Sequence, residues 1–301
     1  MPSPAEGGIE HPQRAHADVR ERGSAGSNAR QGRQGADART LERVAPRRYR
    51  ATVEYDGTDF AGFQVNPGKR TVQGVLEDAL ERLGDGVGRR VDGAGRTDAG
   101  VHATGQVIAF SYGGKLPLTE LEAALAAILP RDIAVRDLRE VPDAFNPRYA
   151  ARYREYRYTV WNGPHSPLRE RFAFGVRDPL DIAAMARAGS AFIGRHDFRA
   201  FGATDRSTVR TVDAVRVRRS GRYVTIDVRA DSFLRGQVRR MVGLLLEVGL
   251  GRATSKEVRT ALADPASARK GAAAPAKGLC LRHVAIGRRT EKQVDGEHEE
   301  R

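Results

Sequence analysis

Apolar positions along the chain recur with the two periods that strands and helices impose, two residues and about 3.6. Tyr49 to Tyr55 alternates apolar and polar side chains as a half-buried strand does, and Thr71 to Leu83 sets Val72, Val75, Leu76, Ala79, Leu80 and Leu83 on one helical face. A further strand is predicted near Gln106 to Tyr112. Thr119 to Leu129 reads as a helix with Leu121, Leu125, Ile128 and Leu129 as its stripe, opened by Thr-Glu-Leu-Glu as a capping box with Glu122 in third place. Ile133 to Leu138 follows as a strand, so this half runs β-α-β-α-β.

The second half repeats the rhythm. Tyr156 to Trp161 is strand-like, and Asp181 to Ile193 is helical with Gly194 as its stop. Val224, Ile226 and Val228 alternate with Thr225, Asp227 and Arg229, and Gly236 to Val248 carries Val238, Met241, Val242 and Leu245 on an inward stripe. The pattern predicts an α+β fold of two related halves, 49–150 and 151–287, packed about a cleft. The boundary falls near Ala150 to Arg154, after the turn-prone Phe145-Asn-Pro-Arg148. Residues 1–48 and 288–301 lack the large apolar side chains that would offset ordering entropy, which predicts a disordered basic-leaning tail before the folded region and a disordered polar tail after it.

Charge narrows the partner. Lys and Arg number 51 against 38 Asp and Glu, a formal net charge of +13, and most of the positive charge is arginine. Guanidinium forks match phosphate oxygens and stack on bases, so a nucleic acid is the first candidate, with a GC-rich genome as the plainer source of arginine. Cys280 is the only cysteine, which excludes an intrachain disulfide and a cysteine metal cluster and fits a reducing cytosol. No apolar run reaches transmembrane length, and the first residues carry neither a secretory apolar segment nor an acid-free transit sequence, since Glu6, Glu10, Asp18 and Glu21 interrupt it. The expectation is a cytoplasmic protein without a membrane partner.

Candidate chemistry gathers in GAGRTDAGVHATGQV, Gly93 to Val107. A dinucleotide fingerprint would need glycine where Asp98 stands, and the segment runs into a strand rather than a helix. A phosphate loop fails for want of a terminal Gly-Lys-Ser/Thr. The glycines suit close approach by a planar group, or positive φ in a tight loop. Arg96 and Asp98, two apart, project to one side of an extended segment, where the guanidinium would favour an ionised carboxylate available as nucleophile or base. An ion pair that merely braces the loop is the alternative.

Gly93-Ala-Gly-Arg-Thr-Asp-Ala-Gly-Val-His102 resembles the signature of the tRNA pseudouridine synthase A (TruA) family. The resemblance extends through Glu54-Tyr-Asp-Gly-Thr-Asp-Phe60, Thr71-Val-Gln73, Gly105-Gln-Val107, Leu129-Pro-Arg-Asp-Ile-Ala-Val135, Tyr156-Arg-Tyr158, His196-Asp-Phe198 and Gly278-Leu-Cys-Leu281. It implies the pseudouridine synthase fold, with a mixed, largely antiparallel central sheet and a basic cleft between the halves. It also implies conversion of uridine to pseudouridine on the 3′ side of the tRNA anticodon stem-loop, about positions 38 to 40, without cofactor or metal, by a homodimer that flips the base into a pocket.

The resemblance makes Asp98 the catalytic nucleophile or base and Arg96 the residue that helps drive or hold the flipped nucleotide. Tyr156 matches the tyrosine that stacks on the target base, a candidate for handling the C5 proton, although its alternation with Tyr158 and Val160 alone would read as core packing. Arg239 matches the arginine that pairs with the catalytic aspartate. Arg235, Arg240, Phe63 and Gln64 are candidate RNA contacts, with a solvated helix face as the plainer reading of the two arginines. His102 is read as fixing the loop, Asp197 as bracing a turn, and Asp56 and Asp59 as local turn formers. Departures from the pattern are Phe63 for the usual tryptophan, Gly236-Gln237 for His-Met, and Arg240 for asparagine, which bear on substrate choice. A catalytically silent tRNA-binding relative is the alternative function, against which the intact Asp98, Arg96, Tyr156 and Arg239 argue. A glycosylase would differ by releasing free uracil.

Overall fold

Strand β1 (Arg47–Tyr55) buries every second side chain, Tyr49, Ala51, Val53 and Tyr55, as its alternation dictates. It starts two residues before the predicted Tyr49, because Arg48 is held by Asp92 at 2.5 Å and by the Phe145 carbonyl at 3.3 Å. The structure, a computed structural model, describes residues 45–84, 90–203, 207–264 and 272–287. The predicted tail at 288–301, and that at 1–48 except its last four residues, lie outside the described residues.

Helix α1 (Val72–Arg82) opens on Thr71, whose hydroxyl accepts from Gly74 N–H, and presses Val72, Leu76, Ala79 and Leu80 into the core. The short strand β2 (Asp92–Gly93) pairs with β3 (His102–Tyr112), and the Asp98 loop joins them. Helix α2 (Leu118–Ile128) corrects one expectation. Its N-cap is Pro117 with no side-chain bond, and Glu122 instead accepts from Leu138 N–H at 2.9 Å, tying the helix to β4 (Ile133–Val141). The predicted capping box loses because its glutamate has a longer-range donor.

The four-residue α3 (Pro147–Ala150), capped by Asn146, passes directly into β5 (Ala151–Asn162). Then come β6 (Phe174–Val176), α4 (Ile182–Ser190), β7 (Gly194–Asp197), β8 (Val209–Ser220), β9 (Tyr223–Ala230), α5 (Gln237–Gly249), α6 (Ser255–Ala263) and β10 (Leu279–Ile286). Helix α4 stops three residues short of the predicted Ile193. Gly194, at φ 114°, opens β7 rather than ending the helix.

The sheet order is β4-β1-β3-β10-β5-β9-β8-β7, with β2 beside β3 and β6 beside β5. Among the described residues only β3–β10 and β5–β6 are parallel, so the sheet is mixed and largely antiparallel, as expected of this α+β chain. The last strand therefore lies between the strands of the two halves. Leu279, Leu281 and Val284 of β10 are buried, as are Tyr156, Tyr158 and Val160 of β5 and Val224, Ile226 and Val228 of β9, each large aliphatic contributing about 1.5–3 kcal/mol by leaving water. At the β3–β10 seam a Cβ on Gly105 would stand 2.3 Å from the Arg282 carbonyl oxygen. Gly105→Ala must push the two strands apart, with an expected loss of about 1–3 kcal/mol in denaturant titration. An unchanged midpoint would show the seam to be pliable.

Candidate active site

Asp98 stands on the loop between β2 and β3, and that loop is tied along its length. Ala94 N–H donates to the Val107 carbonyl at 2.8 Å, and the Gly95 carbonyl accepts from Gln106 Nε2 at 2.8 Å. The Thr97 carbonyl accepts from Phe63 N–H at 3.1 Å, and the Thr97 and Tyr55 hydroxyls meet at 2.8 Å. Gln106 and Tyr55 sit on the buried faces of β3 and β1, so the sheet itself carries the loop. Burial holds the Tyr55 hydroxyl well above the usual tyrosine range, which keeps it protonated for that bond.

Arg239, in the first turn of α5, comes from the other half of the chain. Its Nη1 reaches Asp98 Oδ2 at 3.3 Å and its Nε donates to the Ala274 carbonyl at 2.7 Å, while Ala274 N–H returns a bond to the Arg239 carbonyl at 2.9 Å. The pair is partly buried, with side chains 23% and 27% exposed, so solvent screens it only in part. The ion pair expected between Arg96 and Asp98 does not form. Arg96 is exposed and makes no bond among the described residues, and Arg239 takes the carboxylate instead. That leaves Asp98 Oδ1 without a bond among the described residues.

Tyr156 on β5 packs edge-on against Phe233, with ring centroids 5.3 Å apart, and is 7% exposed. Burial, with Tyr55 and the Asp98 carboxylate adding to it, lifts its hydroxyl above the usual tyrosine range. The ring is thus a neutral face, and the elevation works against a phenolate that would take the C5 proton. Arg154, two residues earlier on the same face of β5, spans the loop and the strand. Its Nη2 donates to the carbonyls of Ala94 at 2.7 Å and Arg148 at 3.0 Å, and its Nη1 to that of Asp231 at 2.6 Å.

The remaining predicted residues divide. Arg235 is exposed and Arg240 half-buried at the start of α5, and Gln64 is exposed. Phe63 is corrected: it is 3% exposed and offers RNA no aromatic surface, because its ring packs where a Cβ on Gly93 would come within 2.5 Å. The close approach that Gly93 permits is therefore by Phe63, not by a base. The departure at Gly236-Gln237 has a local reason. Gly236 is left-handed at φ 75°, and buried Gln237 accepts from Leu234 N–H at 2.8 Å, closing the turn into α5.

His102 binds Gly57 N–H through Nδ1 at 2.9 Å and faces the Lys277 carbonyl through Nε2 at 3.2 Å, which fixes the Nε2–H tautomer. Asp56, which pairs with Arg171, lies 3.1 Å from Nδ1 and favours protonation, but burial wins and pulls the imidazole below its usual 6.5. A depressed folded value means the unfolded chain takes up the proton first. Stability is thus full above pH 6.5 and falls as pH drops below it. Chemical denaturation from pH 7 to 5 should give a steeper loss for the wild type than for His102→Gln; equal slopes would remove His102 from the account. His196 bonds the Ile193 carbonyl at 3.0 Å, and Asp197 accepts from Arg199 N–H at 2.9 Å, both local braces.

A cavity of about 410 Å³ lies elsewhere, lined by Asp56, His102, Arg131, Arg157, Phe172 and Cys280 among others. Arg157 and Cys280 alternate with inward-facing Tyr156 and Leu281, so it opens on the other face of the sheet and contains neither Asp98 nor Arg239.

Comparison with known proteins places this site in a class. The family described as tRNA pseudouridine synthase matches residues 51–150 and 188–285, which include Asp98 and Arg239, while Tyr156 falls between the two segments. The tRNA pseudouridine synthase A of Pelobacter propionicus is 44% identical over 243 residues, 79% of this chain and 99% of that protein. That of Geobacter sulfurreducens is 44% identical over 77% of this chain and 96% of its own, and that of Halalkalibacterium halodurans 41% over 75% and 88%. Among solved structures, the archaeal box H/ACA sRNP Nop10-Cbf5 complex overlaps 78% of this chain and 48% of that one at 13% identity and a TM-score of 0.29. The chain belongs to the tRNA pseudouridine synthase A family, a family of isomerases.

Proposed function

We propose that this protein isomerises uridine to pseudouridine in the anticodon stem-loop of tRNA, about positions 38 to 40, on a base flipped out of its stack. The observation that carries the proposal is Asp98, held at Oδ2 by Arg239, with no bond at Oδ1 among the described residues, and near enough to buried Tyr156 for its charge to act on that hydroxyl. The N1–C1′ bond breaks, the uracil turns while held, and C5 bonds to C1′. The proton lost from C5 is balanced by one gained at N1, so no atom enters or leaves. Asp98 supplies the negative oxygen, as nucleophile at C1′ or as base at C2′–H. A primary isotope effect with 2′-deuterated uridine selects the base route, and its absence the nucleophilic one.

Arg239 keeps one carboxylate oxygen engaged and so orients the other. Exposed Arg96 is free to enter the space a nucleotide leaves on flipping, and Tyr156 bounds the pocket. Arg235, Arg240 and Gln64 offer positive and polar contacts to the phosphate backbone, and affinity should fall steeply with salt. The active form is proposed to be a cytoplasmic homodimer, which sedimentation at assay concentration tests. No helix among the described residues is long and apolar enough to cross a membrane.

Mass-spectrometric mapping of pseudouridine in an unmodified tRNA transcript treated with the purified protein tests the function. Conversion confined to the anticodon arm supports it. Bound but unconverted tRNA would make the chain a silent binder, and free uracil a glycosylase.

A further inference from the structure

Arg154 belongs to no motif noted in the sequence, yet it occupies a singular place. Its guanidinium reaches three backbone carbonyls from three separate segments: Ala94 in the loop that leads to Asp98, Arg148 in α3, and Asp231 after β9. All three acceptors are neutral, and the side chain is largely buried, so the fork is spent on holding main chain rather than on neutralising a carboxylate. Its Nε edge faces Gly95, 4.0 Å from where a Cβ would stand. Together with Gln106 on the Gly95 carbonyl, it fixes two consecutive peptide units immediately before Arg96.

The same strand carries Tyr156 two residues on, and a strand rises about 3.3 Å per residue, so the backbones of the two residues stand about 7 Å apart on one element with their side chains on the same face. The bond from Arg154 to Ala94 is consequently a direct link from the strand that carries Tyr156 to the loop that carries Asp98. Phe233, which packs on Tyr156, follows Asp231 by two residues and is located through the same guanidinium.

We propose that Arg154 is a positioning residue for the isomerisation: it registers the Asp98 loop against Tyr156 across the seam and touches no substrate. This rests on the assignment of Asp98 as the reacting group. Displacement of a reacting group by about 1 Å costs about 10²-fold in rate, whereas tRNA affinity should hold, since both Nη groups of Arg154 are already engaged by protein carbonyls.

The test uses the full chain with Arg154→Met, which keeps the aliphatic stem, and Arg154→Lys, which keeps the charge but not the fork. Single-turnover pseudouridine formation, tRNA affinity at fixed salt, and amide exchange of the peptide spanning Gly95 to Val101 are measured on each. Arg154→Met should lose about 10²-fold in rate with affinity held within about threefold. Faster exchange should be confined to that peptide and to the segments around Arg148 and Asp231 that the guanidinium also holds, and Arg154→Lys should recover about tenfold of the rate. A loss carried by affinity alone, or a folded Met variant with wild-type rate and exchange, would overturn the proposal. So would exchange that rises throughout the chain, which would make Arg154 a general stabiliser. Should the wild type itself form no pseudouridine, the functional assignment fails, while the exchange arm still reports whether Arg154 holds the loop.

Discussion

Asp98→Asn is expected to lower single-turnover pseudouridine formation by more than about 10⁴-fold while leaving tRNA affinity within about threefold. Asparagine has nearly the shape of aspartate, and its carbonyl can still accept from Arg239 Nη1, which now lies 3.3 Å from Oδ2. The loop keeps its ties at Ala94, Gly95 and Thr97, none of which involves the Asp98 side chain. What disappears is the negative oxygen, needed in either route as the species that attacks C1′ or accepts the C2′ proton. Rapid-quench sampling followed by nuclease digestion and mass spectrometry measures the rate. A decrease below about tenfold would mean that Asp98 is not the reacting group and that the chemistry lies elsewhere on the loop.

Arg239→Met should cost about 10²–10³-fold in the same assay. The side chain does two things at once, engaging Asp98 Oδ2 through Nη1 and the Ala274 carbonyl through Nε. Methionine removes both donors and leaves a partly buried carboxylate without its counter-charge. Lysine restores the charge but offers one nitrogen in place of the separately placed Nε and Nη1, so the expected order is Arg, then Lys, then Met. Because Arg239 acts through Asp98, the double variant with Asp98→Asn should be barely slower than Asp98→Asn alone. Additive losses would show that Arg239 contacts the RNA independently.

Local pattern carried much of this structure. The alternation of Tyr49 to Tyr55 and the apolar stripes of α1 and α5 are properties of contiguous residues, and they place those elements within a few positions. The loop around Asp98 stands out for the same reason, since its residues are consecutive. What escaped notice depends on partners far along the chain. Glu122 reads as a cap until Leu138 N–H claims it, and Phe63 reads as a surface aromatic until Gly93 makes room for its ring; spacing alone pairs Asp98 with Arg96, and only the family resemblance points to Arg239, 141 residues away. Gln106 and Tyr55 act through one bond each, to a backbone carbonyl and a hydroxyl, and Arg154 through three to backbone carbonyls, none of which leaves a mark on periodicity or charge.

The place of β10 between β3 and β5 sets an order on biosynthesis. The ribosome releases the Asp98 loop, the tyrosine strand and the Arg239 helix long before Leu279, yet until β10 arrives β3 and β5 have no strand to join them. Two unpaired strand edges then face solvent together, the kind of template on which nascent chains pair with one another. Translation halted before Leu279 would thus yield a polypeptide that contains Asp98, Tyr156 and Arg239 and lacks the strand between β3 and β5, a product for chaperones or proteases rather than for tRNA.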